Sequence, residues 1–276
     1  MKGKQVLIAG GTAGIGRAAA VGLARLGASV TIIGRDRDRT AAAAEAIARE
    51  AGAGAVAPLA CDLSSLADVR RAAAEFLAGH PKLDVLSLNA GGFLASRRTS
   101  VDGNEMTFAF GYLGQFLLGE LLMPALRASG DGRVVVAGVP PGGLKLNFDD
   151  LQLEKSYSWL KAVPNATTAR VMYCLDIAAR EAGKGVTANF FQPGIIATGL
   201  FKEMPWIMRF LLKTFGSTPA KGADTLVCLA SSAEVKGMSG RYFYNRREGK
   251  VTGQVADPAA RARLREISLR LTGLPG

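Results

Sequence analysis

The feature that most constrains this chain is a short apolar run, residues 6–9, that passes straight into Ala9-Gly10-Gly11-Thr12-Ala13-Gly14-Ile15-Gly16 and then into a helical pattern. A buried strand, a glycine-rich turn and a helix in immediate succession form the opening of an α/β unit. The same alternation continues along the chain. Apolar runs at 29–33, 56–59, 85–88, 134–137, 187–191 and 242–244 are separated by Ala-rich helical stretches at 14–26, 39–51, 66–78, 104–127, 167–181, 220–230 and 258–271. The strands are continuously apolar rather than alternating, so both faces of their sheet are covered. Regular strand–helix alternation then gives a parallel, doubly wound sheet.

The expected fold is therefore α/β, a single-domain Rossmann fold whose doubly wound seven-stranded parallel sheet carries helices on both faces. No Pro-, Gly- or Ser-rich linker divides the 276 residues, and no repeat is visible. Two segments break the pattern. One is a long connection at about 140–164, opened by Pro140-Pro141-Gly142-Gly143, which reads as a substrate loop. The other is an apolar stretch at about 199–216 carrying Trp206 and Phe210 with Lys202, Arg209 and Lys213. It suits a lid, a lid that also rests on a membrane surface, or an ordinary packing helix.

Charge and composition narrow the classes. A net charge of +11 invites a nucleic-acid reading, but the basic residues are scattered, aromatics are only 7%, and no nucleic-acid-binding motif is present. A basic surface equally suits a phosphate-rich cofactor or an anionic substrate. There is one histidine, His80 beside Pro81, and the three cysteines are far apart, so no metal site is expected. No uninterrupted apolar run reaches the ~18 residues of a spanning helix, and the start is too short for a signal segment. A cytoplasmic location with reduced thiols is the expectation.

Gly10, Gly14 and Gly16 permit a tight turn and a close approach of backbone to a pyrophosphate, and the helix N-terminus behind them favours anions. Thr12, Ala13 and Ile15 complete that loop. The second strand ends in Gly34-Arg35-Asp36. A site selective for NAD places a carboxylate there, against the ribose 2′-hydroxyl. Gly34 removes the acid, and Arg35 offers a fork suited to a 2′-phosphate, with Arg17 and Arg37 as helpers. The cofactor expected from these residues is NADP(H).

With these motifs in place, the chain resembles the short-chain dehydrogenase/reductase family over nearly its whole length, with Ala9 where the family usually has Thr. Asp62-Leu63 resembles its adenine contact, Asn89-Ala90-Gly91 part of its Asn-Asn-Ala-Gly motif, and Pro193-Gly194-Ile195-Ile196-Ala197-Thr198 its segment at the nicotinamide end. Phe148-Asp149-Asp150-Leu151-Gln152 and Ser239-Gly240-Arg241-Tyr242-Phe243 resemble the retinol-dehydrogenase-like branch. The resemblance implies an oxidoreductase acting on a small apolar organic substrate. It also implies pairing of subunits in many relatives, through the helices at 104–127 and 167–181.

The resemblance breaks at the chemistry. The family uses an Asn that holds a relay water, a Ser that polarises the carbonyl, a Tyr that passes the proton, and a Lys that lowers the Tyr pKa. Aligned to within about one residue, those positions read Gly111, Val139 (or Gly138), Pro164 and Thr168. None transfers a proton as the family's Tyr does. Thr168 remains a candidate as a hydrogen-bonding group, and Asn165, Thr167 and Gln192 lie near the expected pocket, where Asn165 or Thr167 equally suits a cap for a helix preceded by Pro164. Tyr157 and Lys161 form a second Tyr-xxx-Lys pattern upstream. If helical they share a face, and the ammonium favours the phenolate from a starting pKa of about 10. The Tyr157-Ser158 pair also matches a loop Tyr-Ser that the branch carries besides its catalytic Tyr. Three functions stay open: reduction of an apolar carbonyl or activated double bond with a non-standard acid, a non-redox reaction on the same scaffold, and a sensor of NADP(H).

Overall fold

The computed structural model describes residues 1–142, 145–194 and 218–276. Strands β1 (Gln5–Ala9), β2 (Ser29–Gly34), β3 (Ala55–Ala60), β4 (Val85–Leu88), β5 (Gly132–Ala137), β6 (Val186–Gln192), β7 (Tyr242–Tyr244) and β8 (Arg247–Gly249) form one sheet in the order β3-β2-β1-β4-β5-β6-β7-β8. Every pairing is parallel except β7 with β8, which is antiparallel. The sheet thus has eight strands where seven were expected. The additional one arises because Asn245 (φ 48°) and Arg246 (φ 61°) adopt left-handed backbone and turn the chain back on itself.

Alternate residues of each strand feed opposite cores. Leu7, Leu86, Val134 and Phe190 pack beneath α3 (Leu66–Gly79), α4 (Met106–Ser129), α5 (Trp159–Arg180) and α7 (Pro258–Thr272). Val6, Ile8, Ile32, Val135 and Phe191 pack beneath α1 (Gly14–Arg25), α2 (Arg37–Ala51) and α6 (Pro219–Ser231). Burial on both faces is why the strands read as uninterrupted apolar runs. The strand order reverses between β1 and β4, which opens a crevice at their carboxyl ends, where ligands of such sheets bind.

Two helices differ from expectation in ways that matter for the site. α4 is long and apolar enough to cross a membrane by length and composition, with a mean hydropathy of 1.3, yet 78% of that window is buried in protein. Its first turn is capped by the enclosed Glu105 carboxylate, which accepts from the Thr107 and Phe108 amides, and residues Ala109–Leu113 form a π-helical turn. α5 begins at Trp159, eight residues before the expected start at 167, with Ser158 at its N-cap. Pro164 therefore lies within the helix and does not precede it. Proline loses one backbone bond there, to a carbonyl on the exposed Leu160 that water can serve.

Candidate functional site

The β1–α1 turn is shaped by glycines that nothing else replaces. Gly10 has φ +82°, and a Cβ on it would lie 2.8 Å from the Ala90 Cα and 2.9 Å from the Ala90 nitrogen. A Cβ on Gly16 would overlap the Gly10 carbonyl and come within 2.9 Å of the Asn89 Nδ2. Gly14 also has positive φ, +56°. The loop at 10–16 and the segment Asn89-Ala90 thus press together as bare backbone, with the Asn89 amide donating to the Ala9 carbonyl. At the head of α1, Ala13 supplies no side-chain cap, and the first turn holds no acidic residue. Its amides are left for an outside acceptor, and the helix dipole favours an anionic one.

At the end of β2, Gly34 is packed against Thr12 and Thr40, leaving no room for the carboxylate of an NAD-type site. Arg35 is exposed and has no ion pair or side-chain hydrogen bond among the described residues, whereas Asp36 is occupied as the N-cap of α2, accepting from the Arg39 amide at 2.9 Å. Arg17, expected as a helper, is instead engaged with Glu50 at 2.7 Å. Asp62 accepts from both the amide and the hydroxyl of Ser64, and the Leu63 carbonyl abuts Gly114 of α4. Pro193 and Gly194 follow β6, while Ile196, Thr198 and the whole 199–216 segment lie outside the described residues.

The four positions aligned with the family's catalytic groups converge at the carboxyl ends of β4 and β5. Gly111 sits in the π-helical turn, facing Ala166 of α5 closely enough that a Cβ would lie 3.1 Å from the Ala166 methyl. Gly138 is enclosed, a Cβ there falling 2.6 Å from Val171, whereas Val139 beside it is partly exposed. On α5, Thr168 is 1% exposed and its hydroxyl has no partner. Pro164, like Val163, Asn165 and Thr167, is partly exposed. Thr167 does not cap the helix; its hydroxyl donates to the Val163 carbonyl at 2.7 Å. Nor does Asn165, whose side-chain amide donates to the Leu151 carbonyl at 2.9 Å. The Gln192 side-chain carbonyl accepts from the Tyr242 hydroxyl at 2.7 Å.

The upstream Tyr-xxx-Lys pattern does not form the expected pair. Ser158 is extended (φ −149°, ψ 151°), so Tyr157 precedes the helix and the i, i+4 relationship does not reach it. The Tyr157 hydroxyl donates to the Leu94 carbonyl at 2.9 Å, and the Lys161 ammonium donates to the Ser156 hydroxyl at 2.8 Å. Tyr157 thus ties the loop before α5 to the loop after β4. The tie is reinforced by the Phe93 and Trp159 rings, edge to face at 5.0 Å, and by Arg97 donating to the Gln152 carbonyl at 3.1 Å. Gln152 in turn bonds the Glu105 amide at 2.6 Å and the Asn104 side chain at 3.0 Å.

One residue at this convergence was not singled out from the sequence. Arg170 is 5% exposed and threads between three backbone carbonyls. Its Nε donates to Ala137 at 3.0 Å, and its Nη1 to Ala90 and, at 3.3 Å, to Gly111. The Gln115 amide nitrogen shares two of these acceptors, Ala90 at 2.9 Å and Gly111 at 2.9 Å. No carboxylate pairs with Arg170 among the described residues, and burial alone pulls its pKa down to about 10. A cation between Ala169 and Val171 on an otherwise apolar stretch was the available signal.

The fold and this crevice define a nucleotide-binding oxidoreductase scaffold, and the short chain dehydrogenase profile matches residues 4–206. The chain belongs to the short-chain dehydrogenase family, whose members bind nicotinamide dinucleotides. It is 37% identical to human (Homo sapiens) retinol dehydrogenase 14, over 99% of this chain and 88% of that protein. It is 35% identical to the polyprenol dehydrogenase of Mus musculus, over 99% and 85% of the two chains. A solved structure from Mycobacterium Paratuberculosis superimposes with a TM-score of 0.78 at 26% identity, covering 99% of this chain and 94% of the other.

Proposed function

We propose that the protein is an NADP(H)-dependent oxidoreductase of the cytoplasm, acting on an apolar carbonyl or activated double bond without the family's proton donor. The observation that carries the cofactor choice is the end of β2. Gly34 has no space for an acid, and Arg35 stands exposed beside the glycine loop with no partner among the described residues. The bare backbone at Gly10, Gly14 and Gly16 and the uncapped head of α1 fit a pyrophosphate, and Arg35 fits a 2′-phosphate. Thr12, Ala13, Ile15, Asp62, Leu63, Asn89, Ala90, Gly91, Pro193 and Gly194 border the same crevice and complete the proposed nucleotide site. An apolar substrate is supported by Phe93, Trp159, Val139 and Val163 around the crevice, and by relatives named for retinol and polyprenol.

A second reading is favoured by one observation. Gly111, Val139, Pro164 and Thr168 offer no proton donor of the family's kind, and the Tyr157 hydroxyl donates to the Leu94 carbonyl. A non-redox reaction, or sensing of the nucleotide, needs none. The deciding experiment titrates the protein with NADPH and NADH, following nicotinamide fluorescence and thermal stability, which rise together when a ligand binds the folded state. NADPH is expected to bind at least about tenfold tighter than NADH, with the preference lost in Arg35→Ala. Equal binding of the two overturns the NADP(H) reading. Loss of NADPH absorbance in proportion to product with a hydrophobic enone or ketone separates redox from non-redox chemistry.

A further inference from the structure

A guanidinium enclosed in protein without a carboxylate is costly, because its charge loses water and gains no counter-charge. Arg170 is in that position. Its Nε and Nη1 are taken by the Ala137, Ala90 and Gly111 carbonyls. Its Nη2 has no protein partner among the described residues. The guanidinium itself lies where the crevice opens, on carbonyls at the ends of β4 and β5. Val163, Thr167 and Arg170 are spaced four and three residues apart on α5, which places them on one helix face. Ala90 and Ala137 stand at the carboxyl ends of β4 and β5.

We propose that Arg170 is an anion receptor at the floor of the crevice, taking a negatively charged oxygen, a carboxylate or an enolate, at the end of an otherwise apolar ligand. The ligand's body lies along Phe93, Trp159, Val139 and Val163, and its acidic oxygen accepts from Nη2. The three carbonyl contacts fix the guanidinium plane, so little side-chain freedom remains to be lost when the anion arrives. A neutral alcohol of the same length leaves the charge unmatched. The inference deepens the proposed function by adding an acidic head to its apolar substrate, and it rests on that reading only in using the same crevice.

The test compares octanoate with 1-octanol, which share one apolar body, by calorimetric titration at neutral pH with and without saturating NADPH. Octanoate is expected to bind at one site per chain and at least about tenfold tighter than the alcohol, as a charge-assisted bond in an enclosed site allows. Arg170→Lys is expected to keep a preference and Arg170→Gln to abolish it. Equal affinity of the two probes for the wild-type protein overturns the proposal whether or not any variant folds. So does an unchanged preference in a folded Arg170→Gln, the result expected of a merely structural strut or of octanoate adsorbed elsewhere on this basic chain. NADPH affinity measured on the same samples keeps the two readings apart. A protein that discriminates the probes without binding NADPH retains the anion site and loses the proposed cofactor, and the reverse result does the opposite.

Discussion

Gly10→Ala tests the backbone cradle most directly. Two costs combine at that position. The residue has φ +82°, which L side chains rarely adopt, and the added methyl would lie 2.8 Å from the Ala90 Cα and 2.9 Å from its nitrogen. The first costs about 1–2 kcal/mol. The second is overpacking against backbone that cannot swing away as a side-chain end would, at about 1–3 kcal/mol. Together they give about 3 kcal/mol, and at about 2–4 °C per kcal/mol for a chain of this size class the melting temperature falls by roughly 6–12 °C. Gly91→Ala is the control: that residue neighbours Ala90 but has ordinary φ and nothing within 4 Å of its added Cβ. Scanning calorimetry without nucleotide reads the stability. NADPH titration of the folded fraction reads the cradle, with an expected loss of about tenfold for each ~1.4 kcal/mol that the displaced loop forfeits. A Gly10→Ala protein that melts within a degree or so of wild type, or a Gly91→Ala protein whose melting temperature falls equally, refutes the close-approach argument.

Two other outcomes follow from enclosed polar groups. Thr168→Val removes a hydroxyl that is buried without a partner, so urea unfolding should show no loss of stability and a gain of up to about 1 kcal/mol, with NADPH affinity unchanged; a clear loss means the hydroxyl is in use. Glu181 is fully enclosed and accepts two 2.7 Å bonds from Arg127, which hold its carboxyl below the usual range. Its stabilisation is therefore complete above the unfolded value of about 4.3 and is lost as pH falls through the lower folded value. The urea midpoint of Glu181→Gln should lie below wild type by a constant margin from neutral pH to about 5, the margin closing below about 4; a margin independent of pH removes the ion pair from the account.

The fold was legible because its determinants are local and repeated. Val6 to Ala9 or Val134 to Ala137 can be uninterrupted only where both faces of a sheet are covered, and glycine at 10, 14 and 16 is needed by a turn that lies between adjacent elements. The eighth strand was not legible, because it depends on Arg246 holding left-handed backbone, which its side chain does not favour. The start of α5 was missed for a related reason. Pro164 reads as a helix boundary, and only the docking of Trp159 on Phe93 and of Asn165 on the Leu151 carbonyl shows that the helix extends before it. The same shift separates Tyr157 from Lys161, so a spacing that suggests a catalytic pair in the sequence becomes a loop tie in three dimensions.

Arg170 shows what sequence spacing alone does not reveal. The role of a buried cation depends on which carbonyls surround it, and the three acceptors here come from positions 33, 59 and 80 residues away along the chain. Glycine at 111 and this arginine are physically linked. At 111 even a Cβ would crowd Ala166, and with glycine there the π-helical carbonyl is reached by both Gln115 and the guanidinium. A neutral side chain of similar volume would be no less stable than this charge, 5% exposed at the crevice without a carboxylate. If both proposals hold, the cradle, the exposed Arg35 and the enclosed Arg170 make a crevice with a cation at each end. On the proposed reading, its specificity rests on the charge of what enters.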